Sequence, residues 1–186
     1  MELKDGKGRG YLAEVNSSQQ LETRAMAVLP SAYFSEHNSD LFSWCAVSAD
    51  LATGATLLLV CNNSQVKHLH ITKVYCWTDV AAQFHIHVPA YPTLAGTVVA
   101  GNCLNRFAKK TADASAYAAE TGNTFAAANV LTTLRNNETA TDEFACEHDF
   151  VGGLILGYHD SVAVDVIGEG AAFECTIFGY FHTEGE

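Results

Sequence analysis

Eight histidines stand in the chain, and four of them form two His-x-His pairs, His68 with His70 and His85 with His87. On a β-strand, side chains two apart project from the same face, so each pair has the spacing of a metal chelate. Two neighbouring strands carrying such pairs would build a metal site of the cupin type, and His68, His70, His85 and His87 are the candidate ligands for it. A cupin also needs a Glu shortly after its His pair and a further His on a later strand. The chain reads ITKVYCWTD after His70 and VPAYPTLAG after His87, and neither stretch supplies the Glu. The plainer reading makes the four imidazoles polar-face residues opposite Leu69, Ile71, Phe84 and Ile86. The expectation is therefore no metal and no cofactor.

Nucleophilic chemistry has less to work with. No Gly-x-Ser-x-Gly elbow occurs. Cys146, with Glu147 and His148 beside it, is the nearest approach to a Cys/His pair, and the opposite facing of adjacent strand residues works against direct pairing. GKGRG near the amino terminus precedes no strand-to-helix pattern, so it is not a phosphate-binding loop. Nothing specific points to an enzyme, and a non-enzymatic protein is expected.

Composition narrows the partners. The formal net charge is −11, which opposes a DNA or RNA partner, because phosphate neutralisation needs clustered Lys and Arg. Charged residues make up only 17%, below the ~25% of an ordinary soluble chain, as suits a surface packed against copies or partners. Lys4, Lys7 and Arg9 fall within the first ten positions, whereas no Lys or Arg follows Arg135. A basic arm docking on an acidic neighbour is one reading of that asymmetry, and a solvated terminus is the other. Six cysteines occur without any Cys-x-x-Cys pair, which fits free, buried thiols made in a reducing compartment. The start MELKDGKGRG has no apolar stretch of signal type, and no apolar run approaches the ~20 residues of a membrane span, so a soluble protein is expected.

The elements that must position these residues are short β-branched and aromatic runs between Gly, Asn, Asp and Thr clusters. Strands are expected at 41–48, 55–61, 66–78, 83–91, 96–103, 130–134, 154–158, 162–167 and 171–182, an all-β sandwich or barrel. In Gln83 to Val88, Phe84, Ile86 and Val88 alternate with polar residues, the mark of one buried face. The last run differs, because Phe173, Cys175, Ile177 and Phe181 share one parity while Phe178 and Tyr180 take the other. Something must then cover its outer side, either a partner subunit or the chain's own arm, and Phe178 and Tyr180 are expected at a partner interface together with Lys4, Lys7 and Arg9. The Ala-rich segment from Ala108 to Ala128 is expected as a long excursion with one or two helical turns. Residues 1–37 are expected as an extended arm, with short strands at 11–15 and 21–29, leading into a β-sandwich over 38–186.

Two stretches carry a resemblance. TVVAGNCLNRFAKKTADASAY, with Asn102, Leu104, Asn105 and Arg106, resembles a turn of small virion proteins of tailed bacteriophages. VAVDVIGEGAAFECTIFGYFH resembles the closing strand pair of the same proteins, and the likeness spans roughly residues 55–182. It implies a jelly-roll capsid decoration (cement) protein, a trimer that clamps major capsid protein on the virion surface after assembly in the host cytoplasm. The His pairs and the Ala-rich excursion depart from that pattern. A tail- or head-fibre module binding host glycans is the alternative within a virion, with Tyr91, Tyr117 or Trp77 as stacking platform.

Overall fold

The computed structural model describes residues 40–48, 51, 55–105, 107–120, 125, 130–136, 144–168 and 172–183, with two short strands before them. Those two, β1 (Glu14–Val15) and β2 (Leu21–Glu22), pair antiparallel with each other. The rest of the proposed arm, including Lys4, Lys7 and Arg9, lies outside the described residues.

Eleven further strands follow: β3 (Leu41–Ser48), β4 (Thr56–Asn62), β5 (His68–Thr78), β6 (Ala82–His87), β7 (Thr97–Val99), β8 (Asn102–Cys103), β9 (Ala114–Glu120), β10 (Val130–Asn136), β11 (Phe144–Leu156), β12 (Ser161–Ile167) and β13 (Phe173–His182). They form two antiparallel sheets, a six-stranded one in the order β10-β6-β12-β4-β9-β7 and a five-stranded one in the order β11-β5-β13-β3-β8. Setting aside β7 to β9, the strands pair first with last: β3 with β13, β4 with β12, β5 with β11, β6 with β10. The long hairpin so defined wraps on itself through the β5–β13 and β6–β12 pairings. This is jelly-roll connectivity, and the chain is an all-β sandwich.

Period-2 patterning decides what each sheet buries. Leu69, Ile71, Val74 and Cys76 of β5 meet Phe84 and Ile86 of β6 and Val162, Val164 and Val166 of β12 in one core. A register shift between Val164 and Asp165 leaves Leu57 of β4 unpaired, so both Leu57 and Leu58 reach that core. Phe42, Trp44, Phe84 and Phe173 fill its centre at 1% exposure or less. Asn62 ties the layers: its Nδ2 donates to the carbonyls of Lys67 (2.9 Å) and Leu156 (3.0 Å), and its Oδ1 accepts from the Ser64 N–H.

Three expectations need correction. The run at 96–103 is two strands: β7 joins the six-stranded sheet and β8 the five-stranded one. At the crossing sits Gly101, where a Cβ would come within 2.6 Å of the Trp44 indole nitrogen. The Ala-rich segment contains no helical turn among its described residues. Its first half is β9, which lays Ala114, Ala116 and Ala118 on the core and pairs with β4, so tertiary pairing overrides helical propensity. Finally, β11 starts at Phe144, ten residues before the expected strand. No described helix is long and apolar enough to cross a membrane.

Gly179 faces the core of β13 where β5 bulges, and a Cβ there would lie 2.8 Å from the His70 carbonyl oxygen. Gly179→Ala is expected to lower stability by about 1–3 kcal/mol, read as a shifted urea midpoint at constant slope. An unchanged midpoint would show that the close approach is not needed.

Candidate functional site

The two His pairs lie in different sheets. Leu69 and Ile71 point into the core, so His68 and His70 face outward from the five-stranded sheet; Phe84 and Ile86 point in, so His85 and His87 face outward from the six-stranded one. The four imidazoles therefore project from opposite sides of the sandwich, and the cupin-type arrangement is not formed. No group of three or more described His, Cys, Asp or Glu residues could hold a metal ion.

Each pair instead joins a separate cluster. On the five-stranded sheet, register sets His182 beside His68 and Tyr180 beside His70. The His70 ring stacks on Tyr180 at 4.8 Å and meets His182 edge-on at 5.7 Å. Burial, then the neighbouring His182 and His68, hold the His70 pKa below its ordinary value. His182 was hidden in the sequence, because only the β5–β13 register brings it to the pair.

On the six-stranded sheet, His87 is buried with its Nε2 3.3 Å from Asp165 Oδ2, and the Thr56 hydroxyl donates to Asp165 Oδ1 at 2.7 Å. Phe125 stacks on His87 at 4.9 Å. Leu59, Cys61 and Ala163 form a second apolar cluster on this outer face, with Leu94, Tyr117 and Phe125 packed against it. Burial pushes the Asp165 carboxyl up to about 6, against the Thr56 hydrogen bond and the field of His85. The His85 pKa is lowered by burial and then by His87, with Asp165 acting in the opposite sense and Arg135 adding a smaller lowering.

The thiols form a row rather than a site. Cys146, Cys76 and Cys175 are register partners across β11, β5 and β13. Cys76 and Cys175 sulfurs stand 3.9 Å apart, and all six cysteines are free thiols. Cys146 and His148, two apart, do share a strand face, contrary to the sequence expectation of opposed side chains. Even so, the Cys146 sulfur turns to the Cys76 carbonyl at 3.6 Å while His148 packs edge-on against Phe150. Burial pushes the Cys146 thiol up to about 12, which suppresses the nucleophilic thiolate.

The outer faces of the two sheets differ. All seven residues of β4 and the first six of β12 are buried, so this part of the six-stranded sheet is closed on both sides. In the five-stranded sheet, β5 and β13 alternate buried with half-buried side chains. Its outer face presents Trp77, Tyr75 and Lys73 of β5 beside Glu174, Thr176 and Phe178 of β13. Tyr180 is closed off at 7% exposure under His70, whereas Phe178 stays half-buried. Phe178 lines an open depression of about 320 Å³ with Leu41, Thr72, Lys73, Leu104 and Asp149. Lys73 bridges Glu147 (2.9 Å) and Asp149 (3.4 Å) at its rim. At the head of β3, Asp40 takes ion pairs from Lys67 (2.7 Å) and Lys110 (2.8 Å). Of the three aromatics proposed for sugar stacking, Trp77 is on this face, Tyr117 is on the other sheet, and Tyr91 lies on His159 at 5.5 Å.

Compared with protein-family models, with curated proteins and with solved structures, the chain matches none of them.

Two measurements check these environments. Asp165 binds its proton more tightly when folded (about 6) than at its ordinary 3.8, so its contribution to stability rises as pH falls through 6 towards 4 and is lost above. Asp165→Asn removes that dependence, and the variant should gain about 1–2 kcal/mol on the parent between pH 4.5 and 7.5, read by urea unfolding at both pH values. A constant difference would mean that the carboxyl is not desolvated. In maleimide labelling of the native protein, exposed Cys45 is expected to react first, and buried Cys61, Cys76 and Cys175 only after unfolding.

Proposed function

We propose that this chain is a structural subunit of a tailed-bacteriophage head, a decoration (cement) protein that works by burying surface against neighbouring subunits. The observation that carries the reading is the unequal covering of the two sheets. Over β4 and β12 the six-stranded sheet closes its outer face with the chain's own Leu94, Tyr117 and Phe125. The five-stranded sheet leaves an aromatic and hydroxylated face half-exposed around Phe178, Tyr75 and Trp77. An apolar face that none of the described segments closes, on a chain of low charge density, suits a protein that functions in contact with others. The jelly-roll connectivity and the likeness of residues 55–182 to small virion proteins support the same reading.

The interior favours it over catalysis. The space between the sheets is filled by Trp44, Phe42, Phe84 and Phe173, so the sandwich offers surfaces rather than a chamber. In a shell, each contact contributes modestly, and the symmetry of the particle multiplies it. Major capsid protein is the partner on this reading, and the capsid surface is the place of action.

Copy number in purified particles tests the proposal. Quantitative mass spectrometry is expected to find hundreds of copies per particle. A dozen or fewer would move the protein to the tail or a head fibre, and none would remove it from the virion.

A further inference from the structure

We propose that the outer face of the five-stranded sheet is the contact between two copies of this chain, packed face to face about a twofold axis that runs across the strands. The inference names the partner at the face described above, and it rests on the structural-subunit reading for its setting.

Size is the first argument. The strands β11, β5, β13, β3 and β8 are 13, 11, 10, 8 and 2 residues long. At ~4.8 Å between strands and ~3.4 Å per residue, the face covers about 700 Å². Two copies would together bury about 1,400 Å², within the range of standard stable interfaces. Its centre has the aromatic composition of such interfaces, with Phe178, Tyr75 and Thr176 around Lys73, whose charge is met by Glu147 and Asp149 of the neighbouring strand β11.

The unlike chemistry of the two ends gives the direction of the axis. Register orders the face into rows along the strands: His182 with His68 at one end, then Tyr180 with His70, Phe178 with Lys73, Thr176 with Tyr75, and Glu174 with Trp77 at the other end. A twofold parallel to the strands would stack the imidazole end on its own copy and Glu174 on Glu174. A twofold across the strands exchanges the ends. It sets His182 against Glu174 of the second copy and His68 against Trp77, where an imidazole meets an aromatic face. The Phe178 row then lies on the axis, so each Phe178 meets its own copy over the open depression (about 320 Å³), and each Lys73 meets its own copy beside the Asp149 carboxylates of both. Such an interface is isologous and closes at two copies. It therefore pairs the chain in twos, not in the threes that the family likeness implies.

The test uses the full chain. Analytical ultracentrifugation over a concentration series is expected to show a monomer–dimer equilibrium. Thr176→Arg, one row from the axis, is expected to weaken it at least tenfold while circular dichroism keeps the parent signature. His182→Glu is expected to weaken it also, because two carboxylates then face each other, and Glu174→His added to it is expected to restore pairing. A monomer at every concentration, a trimer, or a dimer indifferent to Thr176→Arg overturns the inference, the last two leaving the face to another partner or to the chain's own amino-terminal segment. Failure of the double variant to recover overturns the direction of the axis. A chain that stays monomeric alone but is abundant in particles removes this inference and keeps the structural-subunit reading. A dimer absent from particles does the reverse.

Discussion

The pairing of the first long strand with the last, β3 against β13 from Leu41–Tyr180 to Ser48–Phe173, is the constraint on which the rest of the sandwich depends. Strand β13 is bonded on its other side to β5 along nearly its whole length. Its backbone groups are thereby satisfied on both edges in the middle of a sheet, which no local hairpin could achieve. Once that register is fixed, parity does the remaining sorting. Phe173, Cys175, Ile177 and Phe181 must point inward, and Phe178, Tyr180 and His182 must point outward. The imidazole cluster and the open aromatic face are both consequences of one long-range pairing.

The same logic explains why the two outer faces have different chemistry. Where the chain covers itself, over β4, β6 and β12, water is excluded and polar groups must find partners inside. Thr56 and Asp165 do so across neighbouring strands, and the carboxyl is pushed up to about 6 by its burial. Where the face stays open, ion pairs such as Lys73 with Glu147 remain at the surface, and side chains of mixed character need no internal satisfaction. The covered side stores constraint.

Much of this was legible in the residues, and what was not has a physical reason. Strand β3 falls exactly where the apolar run predicts, and the two-sided character of β13 is visible in its parity. The amino-terminal half of β11, FACEHDF, was not visible, because its polar outward residues dilute the apolar alternation. The split of 96–103 was hidden as well, since one continuous run serves two sheets and only the Trp44 contact at Gly101 reveals the crossing. Local spacing does give the shared face of His68 and His70. It cannot give the sheet to which a strand belongs, and that membership separates this pair from His85 and His87.

Sheet membership also decides where the fold keeps its histidines. A jelly roll that works as an enzyme needs room between its sheets and donors aimed into that room. Here the inward positions of β3, β6 and β13 carry Phe42, Trp44, Phe84 and Phe173 at near-zero exposure, a filling that leaves dense packing and no ligand space at the centre. The histidine pairs and Asp165 stand on the outer faces, one set sealed under Phe125 and the other on the side of Phe178. For a flat, strand-built surface with aromatics at its middle and unlike chemistry at its two ends, another extended protein surface is the partner that the proposed structural-subunit reading calls for.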